Sequence, residues 1–80
     1  MKKYYLVRQW CPHRGQDEDH PDAVFFANKF YEWPLNERIS TELCYGSMKR
    51  AERVAVKYNT LYSRADVVEV PAHLIYKEVW

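Results

Sequence analysis

Eighty residues, 48% of them apolar and 16% aromatic, suit one globular domain with a modest core and leave no length for a second. Twelve basic and eleven acidic side chains give a formal charge of +1, which excludes the global field of a strongly basic nucleic-acid or membrane-surface protein. Cys11 and Cys44 are too few for a disulfide scaffold and read as reduced thiols of a cytoplasmic chain.

The chain opens on MKKYYLVRQW, where Lys3 to Trp10 are rich in aromatic and branched side chains and read as a strand. Its apolar run is too short for a signal peptide, and no run in the sequence approaches the length of a membrane span. A polar loop follows, WCPHRGQDEDHPD, punctuated by Gly15 and Pro21. Over residues 11–22 Arg14 stands against Asp17, Glu18, Asp19 and Asp22, a local charge of −3.

AVFFANKFYEW, residues 23–33, fits two templates. Ala23, Phe26, Ala27, Phe30 and Trp33 share a helical face, and Pro21 and Pro34 would bracket such a helix. The Val, Phe, Tyr and Trp content fits a pleated surface better. The expectation is a strand bent near Asn28-Lys29, with a helix as the alternative. In RISTELCY, Ile39, Thr41, Leu43 and Tyr45 alternate with Arg38, Ser40, Glu42 and Cys44, the period-two pattern of a half-buried strand.

GSMKRAERVAVKYNTLY predicts a helix with Ser47 as its N-cap. At 100° per residue, Met48, Ala51, Val54, Ala55, Tyr58, Leu61 and Tyr62 gather on one side. ADVVEV is the next strand, Pro71 breaks it, and HLIYKEVW supplies the last. The order β-β-β-α-β-β describes an α+β domain over residues 1–80. An antiparallel sheet of four to five strands would carry the single amphipathic helix on one face.

Three features bear on chemistry. The first is the loop of Cys11, His13 and His20, which Cys44 or His73 would have to complete as a metal site; its spacing matches no common zinc pattern, and no metal is expected. Cys11, His13 and Asp19 are the residue types of a cysteine nucleophile with its base, but nothing in their spacing arranges them. Gly15 and Gly46 are the only glycines, so no phosphate loop exists. The chain is read as a non-enzyme without cofactor or small-molecule substrate.

The second feature is cationic. Lys49, Arg53 and Lys57 stand at i, i+4 and i+8 with Arg50 beside them, on the side of the helix opposite its apolar stripe. With Glu52 they give residues 47–60 a local charge of +3. Such a ridge suits phosphates or the carboxylates of another protein. The third is aromatic: Tyr4, Tyr5, Trp10, Tyr31, Trp33, Tyr76 and Trp80 exceed what one helix can cover, and those on an open sheet face would form a binding patch. The expected partner-binding residues are Lys49, Arg50, Arg53 and Lys57 on the helix, Asp17, Glu18 and Asp19 in the loop, and Tyr31 and Trp33.

MKKYYLVR as a first strand, SMKRAERVAVKYN as a single helix, and ADVVEV with LIYKEVW as a closing strand pair together resemble small phage-encoded anti-CRISPR proteins of the short type I kind. The resemblance covers about half the chain, and residues 11–34 have no counterpart in it. It implies a protein that binds a CRISPR-associated protein or RNA-guided complex in a bacterial host's cytoplasm and obstructs recognition of target DNA by occluding a surface. It carries over no catalytic residues. The alternative reading is a small nucleic-acid-binding module using the basic helix face.

Overall fold

The computed structural model describes residues 2–32 and 34–76; Trp33 and the end of the expected last strand, residues 77–80, lie outside them. The fold is α+β, as the sequence pattern predicts. Strand β1 (Tyr5–Trp10) leads through a loop to β2 (Val24–Phe26) and β3 (Phe30–Glu32). A two-residue β4 (Ile39–Ser40) precedes helix α1 (Met48–Tyr58), and β5 (Arg64–Glu69) and β6 (Ile75–Tyr76) follow it. The main sheet is antiparallel in the order β3-β2-β1-β5, while β4 and β6 form a separate parallel pair.

Register decides which side chains share a face. Val7 lies opposite Phe26 on one side and Val67 on the other, and Phe26 lies opposite Phe30. Tyr5, Val7, Phe26 and Ala65 therefore meet Ala51 and Ala55 of α1 in one apolar cluster. Side chains alternate along a strand, so Leu6, Phe25 and Tyr31 point the other way. They pack with Ile39, Cys44, Val70 and Leu74. Leu6 and Val7 are both 0% exposed, and each such burial stabilises by about 1.5–3 kcal/mol.

The sheet thus has a cover on each face, which changes three expectations. Residues 24–32 are a strand hairpin: Asn28-Lys29 is its turn, with the Ala27 amide donating to the Lys29 carbonyl at 3.2 Å. RISTELCY is not one strand. The Ser40 hydroxyl accepts from the Glu42 amide at 3.4 Å and starts a 3-10 turn over Thr41–Leu43, a local side-chain bond that competes with the strand ladder. Tyr45 then returns to the main sheet, exchanging two backbone bonds of 2.9 Å with Tyr5. After Pro71 the chain makes another 3-10 turn over Ala72–Leu74, and β6 runs parallel to β4 instead of closing the main sheet.

The helix is also shorter than its pattern. It ends at Tyr58, where Asn59 donates from its amide to Ala55 at 3.1 Å. Leu61 and Tyr62 lie beyond it and are exposed, and Met48 is half exposed. The buried stripe narrows to Ala51 and Ala55, with Val54 partly covered.

Tyr31, expected at the surface, is 3% exposed, and its hydroxyl is the one buried side-chain polar atom among the described residues without a hydrogen-bond partner. Burial pushes Tyr31 above its ordinary 10.0 and Cys44 above its ordinary 9.0. Both groups hold their protons more tightly folded than unfolded. Their contribution to stability is complete at neutral pH and is lost as pH rises through these values. Tyr31→Phe removes an unpaired hydroxyl, so unfolding free energy by urea at neutral pH will be unchanged or higher by up to about 1 kcal/mol. The variant will also lose less stability than the parent above pH 10.0; a loss of more than about 2 kcal/mol at neutral pH would mean the hydroxyl is bonded.

Candidate interaction surface

Helix α1 starts where Ser47, in an extended conformation, accepts from the Arg50 amide at 3.4 Å. That cap fixes the rotation of the helix, and Ala51 and Ala55 fix its inward side. With 100° per residue, Lys49, Arg53 and Lys57 then fall on the outward side and Arg50 at its flank. All four are exposed. The ion pairs among the described residues are Lys3–Glu69 at 3.4 Å, Arg8–Asp66 at 2.6 Å and the His20–Asp22 contact at 3.9 Å, so none of the four cations is paired there.

This arrangement works against the helix. Its first turn holds no acid and carries Lys49 and Arg50, where the dipole favours anions; each misplaced cation costs about 0.3–1 kcal/mol at low salt. Only Lys57, in the last turn, is placed favourably. The charge of Arg50 reaches inward: burial and Tyr58 push the Tyr45 hydroxyl upward, and Arg50 opposes them.

The helix lies over β1 and β5 and reaches Phe26 of β2, but leaves Phe30 on the outermost strand uncovered. Phe30, on edge strand β3, is 70% exposed. Its ring centroid lies 5.6 Å from that of Phe26, which meets Tyr58 at 4.7 Å. Tyr58 is itself 38% exposed. Phe30, Phe26 and Tyr58 therefore form an aromatic lane that reaches α1 at Tyr58, next to Lys57 in the chain. Phe30 was not among the expected contacts. Its signal is the spacing of Phe26 and Phe30 about a turn at Asn28-Lys29, which puts both on one face.

Asp17, Glu18 and Asp19 are exposed and form no ion pair with the ridge among the described residues. The loop closes on Gln16, whose side-chain carbonyl accepts from the Cys11 amide at 2.8 Å, and on Gly15, which takes a left-handed φ of 76° to end a 3-10 turn over Pro12–Arg14. Asp17 accepts from the Asp19 amide at 3.0 Å. Arg8 is held above its ordinary value first by its paired hydrogen bonds to Asp66, against burial, and then by the charges of Asp66, Asp19 and Glu18. Its side chain lies on the sheet face away from α1, over the Trp10 ring at 5.8 Å.

Tyr31, expected as a contact, is in the interior, and Trp33 lies outside the described residues; the rings exposed beside the helix are those of Phe30 and Tyr58. Among the described residues no three His, Cys, Asp or Glu side chains converge to hold a metal ion. Cys11 and Cys44 are free thiols. The His13 ring meets Tyr62 edge-on at 5.6 Å, and the His20 Nδ1 accepts from the Asp22 amide at 3.1 Å. No helix among the described residues is long and apolar enough to cross a membrane. Compared with protein-family models, with curated proteins and with solved structures, the chain matches none.

Because the ridge has no partner within the described fold, Lys49→Gln with Arg50→Gln will stabilise the domain by about 0.5–1 kcal/mol at low salt, and the gain will shrink as salt is added. Urea titrations at two ionic strengths check this. A destabilisation would show that the cations hold the fold together.

Proposed function

We propose that the protein is a surface-occluding binding protein whose target is a bacterial CRISPR effector protein or RNA-guided complex, and that it obstructs recognition of target DNA. The observation that supports the reading is the exposed ridge of Lys49, Arg50, Arg53 and Lys57, unpaired among the described residues, on a helix that is less stable for carrying it. Arginine forks and lysine ammonium groups standing free on a rigid helix are suited to gripping the carboxylates or phosphates of such an assembly. The assignment to a CRISPR target comes from the resemblance of the strand and helix segments to anti-CRISPR proteins. No catalytic step and no cofactor belong to this reading.

A second reading is favoured by the aromatic lane. Phe30 and Tyr58 flank Phe26 beside Lys57 and Arg50, and exposed rings next to cations are the parts of a single-strand nucleic-acid platform. In this reading the bases stack on Phe30 and Tyr58 while the ridge follows the phosphates.

Tagged protein presented to a panel of purified CRISPR effector complexes will retain at least one. The double variant Arg50→Glu, Arg53→Glu will keep its circular dichroism and melting behaviour while losing about tenfold or more in affinity. Undiminished retention would take α1 out of the interface, and capture by no effector would end the CRISPR assignment. Binding of a fluorescent single-stranded oligonucleotide with a steep salt slope, lost in Phe30→Ala, would decide for the second reading.

A further inference from the structure

Among the described residues the outer edge of β5 carries unpaired backbone. The Val70 amide donates to the Tyr4 carbonyl at 2.8 Å, so even-numbered residues of this segment face β1. Ala65 confirms the alternation: the Asn59 side chain accepts from its amide at 2.9 Å and donates to its carbonyl at 3.0 Å from the outer side. Asn59 thus occupies the place of a neighbouring strand at one end of the edge, and Pro71 ends it at the other. Between them the amides and carbonyls of Val67 and Glu69 point outward, and no group among the described residues pairs with them.

We propose that this edge pairs with the same edge of a second copy of the chain, joining two four-stranded sheets into one antiparallel eight-stranded sheet. The register follows from which groups are open. A twofold axis through Val68 places Val67 opposite the partner's Glu69 and Glu69 opposite the partner's Val67, so the open groups of one copy satisfy those of the other. Val68, half-buried on the far face, meets its own copy on the axis. The bonds to β1 stay in place, while the partner's Pro71 falls opposite Ala65, so the Asn59 side chain has to swing off the edge to admit it.

The helices fit the same axis. Since α1 lies over β1 and β5 alike, two copies joined edge to edge set their helices two strand spacings apart, about 9.6 Å. That matches the roughly 8–10 Å of packed helices. Tyr58 marks the flank of α1 toward β2 and Asn59 the flank toward the β5 edge. At 100° per residue, Met48, Glu52 and Val56 follow Asn59. Val56 is 69% exposed and Met48 half exposed, which the monomer does not explain. Counting from Asn59 along the helix and from Ala65 along the strand, Glu52 and Val68 both lie about 10 Å away and so stand level. Met48 then meets the partner's Val56 across the axis. Each Glu52 comes within one turn of the partner's Lys49, which offsets the approach of the two carboxylates.

Sedimentation equilibrium up to about 1 mM chain tests this. The expected result is a monomer–dimer equilibrium that weakens about tenfold or more in Val67→Pro. Proline there removes an outward amide without touching the β1 ladder. Should Val67→Pro fail to fold by circular dichroism, Val56→Lys, at an exposed site, will weaken the same equilibrium. A chain that stays monomeric at the highest concentration overturns the proposal and leaves the edge to a strand of a different protein. A dimer unaffected by either substitution also overturns it, by placing the interface elsewhere. Each of these outcomes leaves the ridge reading standing, because that reading is tested on Arg50 and Arg53.

Discussion

An interior strand has two faces and two edges, and in this protein β1 has a partner on all four. Its even residues exchange bonds with β5 and its odd ones with β2 and Tyr45. Its odd side chains, Tyr5 and Val7, pack under α1, while Leu6 packs against the layer that holds Ile39, Val70 and Leu74. In a chain of eighty residues the surface-to-volume ratio leaves little apolar area to bury, so one strand has to serve two cores. Everything else is placed by its distance from that strand.

Alanines set that distance for the helix. Ala51 and Ala55 on α1 meet Ala65 and the flat faces of Tyr5 and Val7, so the helix sits low over β1 and β5. A low helix covers a narrow strip. The larger apolar groups to either side of it, Tyr58 on one flank and Met48 and Val56 on the other, lie beyond that strip and remain at the surface. The same packing choice that buries three alanines therefore creates two distinct flanks: an aromatic and cationic one toward β2, and an apolar one above the open edge of β5.

What could be read from the sequence was local. Ser47 before a 3.6-residue pattern gives the helix its start, and runs of Val, Tyr and Leu give β1 and β5. Pro71 follows β5 and leads into the 3-10 turn over Ala72–Leu74, although by the alternation its missing amide would face the outer edge and not β1. Where the reading departed from the fold, the deciding contacts were distant in sequence or hidden in a hydroxyl. The alternation from Arg38 to Tyr45 is real, but Ser40 bonds its neighbour's amide and turns the chain after two residues of strand. Tyr31 and Phe30 are adjacent aromatics of similar size. One is buried and the other bare because segments near Ile39 and Leu74 cover the first, whereas α1 stops short of the second. No pattern within residues 23–33 records that difference. The extent of the helix was misjudged for a related reason: Leu61 and Tyr62 continue the period, but Asn59 leaves the helix to plug the edge at Ala65.

The distribution of charge follows from the same architecture. On the sheet the cations have partners, Arg8 with Asp66 directly opposite it and Lys3 with Glu69. On the helix they have none among the described residues, although four carboxylates stand in the loop of the same chain. Those carboxylates follow the end of β1, where the charges of Asp19 and Glu18 reach Arg8. Physiological salt screens charges beyond about 8 Å, so a partner feels chiefly the patch it touches. The formal charge of +1 is then a poor guide to what the protein binds. A partner in contact with α1 meets four cations and one carboxylate, and one in contact with the loop meets the reverse.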